Sequence, residues 1–211
     1  MYFRKIPSIL YSLFPQCIWQ IPTAEKKVYL TFDDGPTSQI TEKTLTILTK
    51  HDAKATFFML GKQVEKNPTL AKEVLAAGHS IGNHSFSHLN GWQTPNKVYF
   101  EDIQKAQTII EETLQHSPTL FRPPYGKISL SQMRNIQTSY KIVMMDILCG
   151  DFDARQSPER CTQIIQKYVQ KGSIIVYHDS EKAANNMLAS LPEILAFLKG
   201  EGYEFAIPLV P

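Results

Sequence analysis

Short apolar runs that alternate with helix-like segments constrain the fold of this 211-residue chain more than any other feature. Several runs are rich in β-branched or aromatic residues and lack strict alternation of apolar and polar positions, as is typical of parallel strands covered on both faces. The pattern predicts one α/β domain, built as a barrel or as an open sheet. Seven runs are predicted to be strands: 28–32, 55–59, 79–82, 120–122, 142–145, 174–177 and 203–207.

Helix boundaries can be read between these runs. Asn67 and Ser157 each precede a proline, a pair typical of an N-cap followed by proline at the first helical position. Residues 98–114 repeat apolar positions at helical spacing, which predicts a helix with one buried face. Glycines are expected to end helices at Gly78, Gly172 and Gly200.

The first 25 residues are expected to pack on a domain formed by residues 26–211. Their uncharged stretch superficially resembles a secretory signal, but two prolines interrupt it and its small-residue cleavage pattern is poor. We therefore expect a cytoplasmic or peripheral protein without a membrane-spanning helix, and the sequence leaves export open. The residues predicted to cover the domain as a lid are Phe14, Ile18 and Trp19.

Charge and cysteine content exclude several classes of protein. The 22 basic and 20 acidic residues give a net charge of +2, and no basic cluster predicts binding to nucleic acid. No obligate protein partner is evident either. Three widely spaced cysteines without a C-x-x-C pair predict buried thiols rather than a disulfide framework or a cysteine zinc site. They are Cys17, Cys149 and Cys161.

Two adjacent carboxylates, Asp33 and Asp34, follow the first predicted strand and precede a Gly-Pro turn. The carboxyl ends of parallel strands form the edge at which α/β proteins build their active sites. Carboxylates so close repel each other unless a cation or a positive side chain neutralises one of them and gives it a different function. A metal ion bound to one aspartate and an arginine paired with the other would do this.

A histidine pair, His84 and His88, follows the third predicted strand. If the segment is a helical turn, this spacing puts both imidazoles on one face, as in other zinc hydrolases. Two histidines and one carboxylate leave coordination positions open, as a catalytic zinc requires. By itself the pair is equally compatible with capping or surface histidines, whereas the neighbouring aspartates favour a metal site.

The fourth and sixth predicted strands also end in residues with catalytic potential. Arg122 is followed by two prolines and a glycine, a rigid backbone suited to fixing a guanidinium and a peptide N–H in space. Alone, Arg122 would more often form a structural salt bridge, and His178 would more often cap a helix. Their common position at strand ends favours a shared site.

The motifs together resemble the polysaccharide deacetylase family, carbohydrate esterase family 4. Four sequences carry the resemblance, in the family's order and between about residues 28 and 180: T-F-D-D-G-P, H-S-x-x-H, R-P-P-Y-G and a final H-D. The resemblance implies a distorted (β/α) barrel with fewer than eight strands, so we expect about seven parallel strands in one catalytic domain. It also implies removal of acetyl groups from N-acetylated amino sugars in a peptidoglycan- or chitin-like glycan.

The resemblance assigns roles to individual residues. Asp34, His84 and His88 would bind one divalent metal ion, expected to be Zn²⁺, with Co²⁺, Ni²⁺ or Mn²⁺ as alternatives. Asp33 would be the catalytic base, and Arg122 would hold it. The remaining roles concern the tetrahedral intermediate and the departing amine: the oxyanion would be bound by the backbone N–H of Tyr125, and the amine would be protonated by His178.

One family motif departs from the usual pattern. The family commonly has an Asp-Trp pair after the fifth strand and a tryptophan six residues earlier, where this chain has Asp151, Phe152 and Met145. Asp151 can still orient His178, but phenylalanine is smaller than tryptophan and has no N–H donor. The substrate-binding residues implied by the resemblance are Pro124, Tyr125, Phe152 and Tyr177, the last in a place where the family commonly has an aliphatic residue.

Three other interpretations stay open at this point. The same site could act on O-acetylated xylan or on a small non-sugar amide, which the missing tryptophan motivates. Two histidines and a carboxylate also form the facial triad of non-haem iron oxygenases, although the second aspartate and the arginine argue against that class. A catalytically dead sugar-binding protein is the fourth interpretation, but every residue needed for catalysis is present.

Overall fold

The computed structural model describes residues 3–207 of the chain. The last four residues of the predicted domain, 208–211, lie outside the described part, as do residues 1 and 2. Within the described part, no helix is both long and apolar enough to cross a membrane.

Parallel strands form one curled sheet, and the predicted distorted (β/α) barrel is confirmed. Eight strands follow the order β1-β6-β5-β4-β3-β2-β8-β7, and β9 pairs with β2. All pairs between strands are parallel, so their carboxyl ends meet at one edge. The strands are β1 (Cys17–Ile18), β2 (Lys27–Asp33), β3 (Ala55–Met59), β4 (Ser80–Asn83), β5 (Leu120–Phe121), β6 (Lys141–Val143), β7 (Ile147–Leu148), β8 (Ile174–His178) and β9 (Glu204–Phe205).

Helices connect the strands. Ser157 caps its helix as predicted, because its side chain accepts a hydrogen bond from the Arg160 N–H. Asn67 also precedes a helix, but its amide donates to the Pro36 carbonyl instead. The helices are α1 (Ile9–Leu13), α2 (Ile40–Lys50), α3 (Gly61–Lys66), α4 (Pro68–Ala76), α5 (Asn96–Leu114), α6 (Leu130–Ile136), α7 (Pro158–Tyr168) and α8 (Ala184–Gly200), with a short 3-10 turn at Pro124–Gly126.

The predicted helix over 98–114 is α5, which begins two residues earlier and buries the apolar face that its spacing indicates. Two of the three glycine turns adopt the left-handed conformation that favours glycine, Gly78 with φ 77° and Gly172 with φ 79°. Gly200 instead lies inside the last turn of α8, and Gly202 takes the left-handed position with φ 77°.

The described part of the chain has nine strands instead of the expected seven, because the two-residue strands β1 and β7 have no sequence signature. The predicted run 142–145 corresponds to β6, which ends at Val143, and the chain re-enters the sheet as β7 at Ile147. Two-residue strands offer too few positions for a periodic pattern. The buried runs 28–32, 55–59 and 174–177 match β2, β3 and β8 closely.

The N-terminal segment contacts both edges of the sheet. At one edge β1 pairs with β6, and at the other Lys5 forms an antiparallel bridge with Ile147 of β7. Trp19 is buried, donates its indole N–H to the Phe14 carbonyl at 3.1 Å and stacks on Tyr11. Residues 4–18 therefore lie across the gap that an open sheet would leave.

Asp146 fixes this segment in place. Its buried carboxylate lies 2.5 Å from Lys5 Nζ and accepts hydrogen bonds from the Tyr11 hydroxyl at 2.5 Å and the Ser173 hydroxyl at 2.6 Å. Burial of the Tyr11 hydroxyl beside this carboxylate raises the Tyr11 pKa well above its ordinary value. The three partners compensate the desolvation of the Asp146 charge.

Asp146→Asn is expected to lower the free energy of unfolding by about 2–4 kcal/mol, because a neutral amide removes the partner of Lys5 and turns one acceptor into a competing donor. Urea denaturation followed by circular dichroism measures this difference. The same chemical change at the exposed Asp52 is the control and should have little effect. Equal midpoints for the two variants would contradict the role of Asp146.

Candidate active site

A cleft of about 790 Å³ opens at the carboxyl edge of the sheet. Asp33 and His178 end neighbouring strands and lie side by side in the register of β2 and β8. The fold thus brings together the residues that end separate strands, as the sequence predicts. The predicted site residues that line the cleft are Asp33, Asp34, His84, His88, Tyr125, Phe152 and His178.

A buried ion pair lies at the base of the cleft. Arg122 donates from Nη1 to Asp33 Oδ1 at 2.7 Å, and both side chains are almost completely removed from solvent. Burial alone would raise the pKa of Asp33, but the charges of Arg122 and His178 and the hydrogen bond from Arg122 outweigh it and hold the pKa below its usual range. Asp33 is therefore ionised at neutral pH, the state that a general base needs.

Three further groups hold Arg122, and no local sequence pattern predicts them. Its Nη1 also donates to the Thr31 hydroxyl at 2.7 Å, and its Nη2 donates to the Met144 carbonyl at 2.9 Å. The guanidinium carbon lies 4.2 Å from the centre of the Phe58 ring. These contacts fix the plane of the guanidinium and, through it, the carboxylate of Asp33.

Asp34, His84 and His88 form a cluster whose ligand atoms all lie within 4.8 Å of one another. Asp34 Oδ1 is 3.7 Å from His84 Nε2 and 3.2 Å from His88 Nε2. This same carboxylate oxygen is buried and accepts no hydrogen bond. A buried unpaired carboxylate oxygen beside two imidazole nitrogens fits a divalent cation, so the residues present suit the metal that the resemblance implies.

His84 is oriented for this role by the backbone. Its Nδ1 lies 2.7 Å from the Arg122 carbonyl, which only accepts, so Nδ1 carries the proton and Nε2 presents its lone pair to the cluster. Burial, together with the neighbouring His84, lowers the pKa of His88 to about 4. The His88 imidazole is thus suited to metal ligation in its neutral form.

The two histidines do not lie on a helical turn, the arrangement that their i, i+4 spacing suggested. Residues 84–88 form an irregular loop, in which Ser85 and His88 adopt left-handed backbone angles with φ 69° and 62°. Asp102 of α5 supports the loop, since its carboxylate accepts the N–H groups of Phe86 and Ser87 at 2.9 and 3.0 Å. The i, i+4 spacing brings the imidazoles together through this loop and not through helical periodicity.

His178 and Asp151 form a second pair across the cleft. His178 Nδ1 lies 2.9 Å from Asp151 Oδ1, and the His178 backbone N–H donates to Asp151 Oδ2 at 2.7 Å. Burial alone would lower the pKa of His178, but the Asp151 carboxylate outweighs it and raises the pKa to about 9. His178 is therefore protonated at neutral pH, as a general acid must be.

Asp179 supports the loop that carries the paired aspartates, a role that the sequence analysis missed. Its carboxylate accepts the Gly35 N–H at 3.0 Å and the Thr41 hydroxyl at 2.5 Å. The pKa of Asp179 is raised to about 7, because the effect of burial exceeds the opposing effect of the hydrogen bond from Thr41. The only available signal was its place in the final H-D motif.

The residues predicted to bind substrate divide into two groups. Tyr125 is 62% exposed and packs edge-on against His88, and Phe152 packs edge-on against His178. Pro124 is buried, and the neighbouring Pro123 lines the cleft instead. Tyr177 does not line the cleft: it is buried against Phe32, and its hydroxyl lies 3.3 Å from that of Ser190 in α8.

Tyr177 lies outside the cleft because side chains alternate between the two faces of β8. Neighbouring residues in β8 point to opposite faces, so the cleft receives Val176 and His178 while Tyr177 enters the core between sheet and helices.

The fold and the site together are those of a hydrolase built on a distorted (β/α) barrel. Residues 20–145 match the family model described as polysaccharide deacetylase. The chain belongs to the polysaccharide deacetylase family, which confirms the resemblance seen in its motifs.

Several relatives are peptidoglycan deacetylases. The chain is 34% identical over 189 residues to a peptidoglycan-N-acetylglucosamine deacetylase of Bacillus cereus, covering 89% of this chain and 88% of the relative. It is 35% identical to the deacetylase PgdA of Listeria monocytogenes, of which it spans only 39%. A solved structure of the Bc1960 peptidoglycan N-acetylglucosamine deacetylase matches with a TM-score of 0.89 at 30% identity, over 95% of this chain and 94% of that one.

Gly35→Ala is expected to lower the affinity for a divalent cation at least ~100-fold, because an added Cβ would lie 2.0 Å from Asp179 Oδ2 and displace the loop that carries Asp34. Titration calorimetry with Zn²⁺ measures the affinity, and circular dichroism checks the fold. The control is Gly200→Ala, where an added Cβ meets nothing within 4 Å. Unchanged affinity in Gly35→Ala would show that this loop tolerates displacement.

Proposed function

We propose that this protein is a metal-dependent deacetylase that hydrolyses the acetamide of N-acetylglucosamine-type residues in a peptidoglycan-like glycan. The observation that carries the proposal is the placement of two differently charged pairs in one cleft. Asp33 is held ionised by Arg122, and His178 is held protonated by Asp151. One side of the cleft can therefore take a proton while the other gives one.

Asp34, His84 and His88 would hold the ion, for which we propose Zn²⁺ because two imidazoles and one carboxylate are typical ligands of a catalytic zinc. When bound, the ion supplies a Lewis acid for the acetyl carbonyl and for the attacking water. The three ligands leave positions open for both.

Asp33 would act as the base. Its Oδ1 is engaged by Arg122, which leaves Oδ2 to accept the proton of the attacking water. Because Arg122 stabilises the ionised form, it also keeps Asp33 from being protonated before the substrate binds. The backbone N–H of Tyr125, in a left-handed turn with φ 60°, would stabilise the negative charge that develops on the acetyl oxygen.

His178 would act as the acid. Asp151 accepts from Nδ1 and so fixes the ring, which leaves Nε2–H to protonate the departing amine. Phe152 packs on the imidazole at 5.0 Å between ring centres and covers this face of the cleft. The smaller ring in place of the family's usual tryptophan leaves the acid–base chemistry intact and changes the surface offered to the sugar.

The relatives support the substrate class. Three similar proteins of Bacillus cereus are named as peptidoglycan-N-acetylglucosamine deacetylases, and PdaC of Bacillus subtilis is named as a peptidoglycan-N-acetylmuramic acid deacetylase. The comparisons favour neither the xylan nor the small-amide alternative. The iron oxygenase interpretation has no support in a family of hydrolases.

The family also contains inactive members, since a Bacillus anthracis protein of similar fold is described as a pseudoenzyme, with a TM-score of 0.79 at 26% identity over 88% of this chain and 65% of that one. Activity in this chain is supported by its complete set of residues. The proposed base, acid and arginine and all three candidate ligands are present in the chain.

We expect the Zn²⁺-loaded protein to release acetate from peptidoglycan and chitooligosaccharides faster than from acetyl-xylan, and chelation to abolish release until Zn²⁺ is restored. Asp33→Asn should retain Zn²⁺ yet lose at least ~100-fold in kcat, because only the proton acceptor is removed. An enzymatic acetate assay and metal analysis of each variant provide the two readouts. Full activity of Asp33→Asn would refute the mechanism, and no release from any glycan would refute the proposed function.

The rate should fall as pH rises through the pKa of His178, which is raised to about 9, because only the protonated imidazole can donate to the amine. Asp151→Asn removes the charge that raises this pKa, so the alkaline limb of kcat against pH should move down by at least ~1 pH unit. The control is Asp153→Asn, two residues along the chain. A limb that does not move would contradict the assignment of the acid.

A further inference from the structure

Trp92 lies outside the cleft and has no role in the proposed chemistry, yet its side chain is 67% exposed. The other tryptophan of the chain, Trp19, is buried in the core. Single exposed apolar residues are common on protein surfaces and need no explanation by themselves. Two independent features set Trp92 apart: it is held rigidly, and it continues the wall of the active site.

The hydrogen bonds of the surrounding loop fix the indole ring. Trp92 Nε1 donates to the Ile128 carbonyl at 3.0 Å, and its backbone N–H donates to Asn90 Oδ1 at 3.1 Å. Gln132 Nε2 donates to the Gly91 carbonyl at 2.8 Å, and a Cβ on Gly91 would lie 2.5 Å from the Lys127 carbonyl. The ring is thus held before any ligand arrives, and its N–H is already satisfied.

A row of side chains leads from the candidate metal ligands to this ring. Tyr125 packs on His88 with 4.4 Å between ring centres. Lys127 Nζ lies 6.0 Å from the centre of the Tyr125 ring and 5.4 Å from that of Trp92. The lysine therefore lies between two exposed aromatic rings, the first of which lines the cleft.

We propose that Trp92 is the stacking platform of an additional sugar-binding subsite, which holds a pyranose ring further along the glycan than the residue that loses its acetyl group. This inference rests on the proposed function and extends it to chain length and charge. The aliphatic C–H face of a pyranose suits an aromatic ring that is exposed and immobile, since little conformational entropy is lost on binding.

Lys127 indicates that the bound sugar carries a carboxylate. Among residues 3–207, no carboxylate oxygen lies within 4.0 Å of Lys127 Nζ. The cleft is also lined by Lys62, Lys66 and Lys182, and besides the proposed base Asp33 and the candidate ligand Asp34 its acidic lining residue is Glu181. A lysine beside an aromatic platform, at the end of a cleft lined by further lysines, favours a glycan in which acidic sugars alternate with the acetylated ones over a neutral polymer.

Tryptophan fluorescence tests the platform directly. In the Asp33→Asn protein loaded with Zn²⁺, a tetrasaccharide that alternates N-acetylglucosamine with N-acetylmuramic acid should quench and blue-shift the emission of the exposed Trp92. The Asp33→Asn/Trp92→Phe protein keeps only the buried Trp19 and should show no response. A response that persists in this variant, or no response of Trp92 at saturating tetrasaccharide, would overturn the proposal.

Titration calorimetry measures how much the Trp92 ring contributes to glycan affinity. Trp92→Ala should raise the Kd for the tetrasaccharide about tenfold, as expected for a lost stacking contact, whereas Trp92→Phe should retain most of the affinity. In the active protein, Trp92→Ala should lower the ratio of kcat/KM for a hexasaccharide to that for a disaccharide. An equal loss on both substrates would identify a structural role and overturn the subsite.

Lys127→Met tests the charge. It should weaken binding of the acidic tetrasaccharide about fivefold, an effect that 0.5 M NaCl reduces, while the neutral chitotetraose is bound as before. Lys199→Met, at the exposed end of α8, is the matched control. Equal weakening for neutral and acidic glycans would overturn the carboxylate assignment.

The outcomes separate this inference from the proposed function. Acetate release with no dependence on Trp92 leaves the deacetylase in place and removes the subsite. A Trp92 response to glycan in a protein that releases no acetate from any substrate removes the deacetylase and leaves a sugar-binding surface.

Discussion

The buried ion pair between Arg122 and Asp33 is the interaction on which the rest of the site depends. Removing two charges from water is costly, and good geometry with further hydrogen bonds must compensate. Arg122 Nη1 also donates to the Thr31 hydroxyl, and Nη2 donates to the Met144 carbonyl. The backbone carbonyl of Arg122 in turn orients His84. Arg122 thus stabilises the ionised form of Asp33 and orients a candidate metal ligand.

Adjacent carboxylates can serve different functions because the backbone separates them. Asp33 continues β2 and faces Arg122, whereas Asp34 has φ 80° and turns toward the histidines. Gly35 then passes so close to Asp179 that no side chain fits, and the Asp179 carboxylate binds its N–H. The strain of a left-handed aspartate is sustained by this contact, as is typical where backbone strain serves a site.

Sequence patterns predicted what depends on local chemistry. Buried runs such as 174–177 marked the central strands, and the candidate ligands and acid–base groups were found because their residue types are few and fall at strand ends. Contacts between distant segments left no local pattern, which is why Thr31, Asp102 and Asp179 were missed. Tyr177 was misplaced because a motif position says nothing about which face of a strand it occupies.

Two hydrogen bonds connect the N-terminal segment, which closes the barrel, to the arginine that holds the proposed base Asp33. Met144 donates its N–H to the Ile18 carbonyl of β1 at 2.8 Å and accepts from Arg122 Nη2 through its own carbonyl at 2.9 Å. Two residues later, Asp146 binds Lys5 and Tyr11 of the same N-terminal segment. The N-terminal segment therefore helps to position the arginine that keeps Asp33 ionised, because β1 and Arg122 bind the backbone of the same residue, Met144.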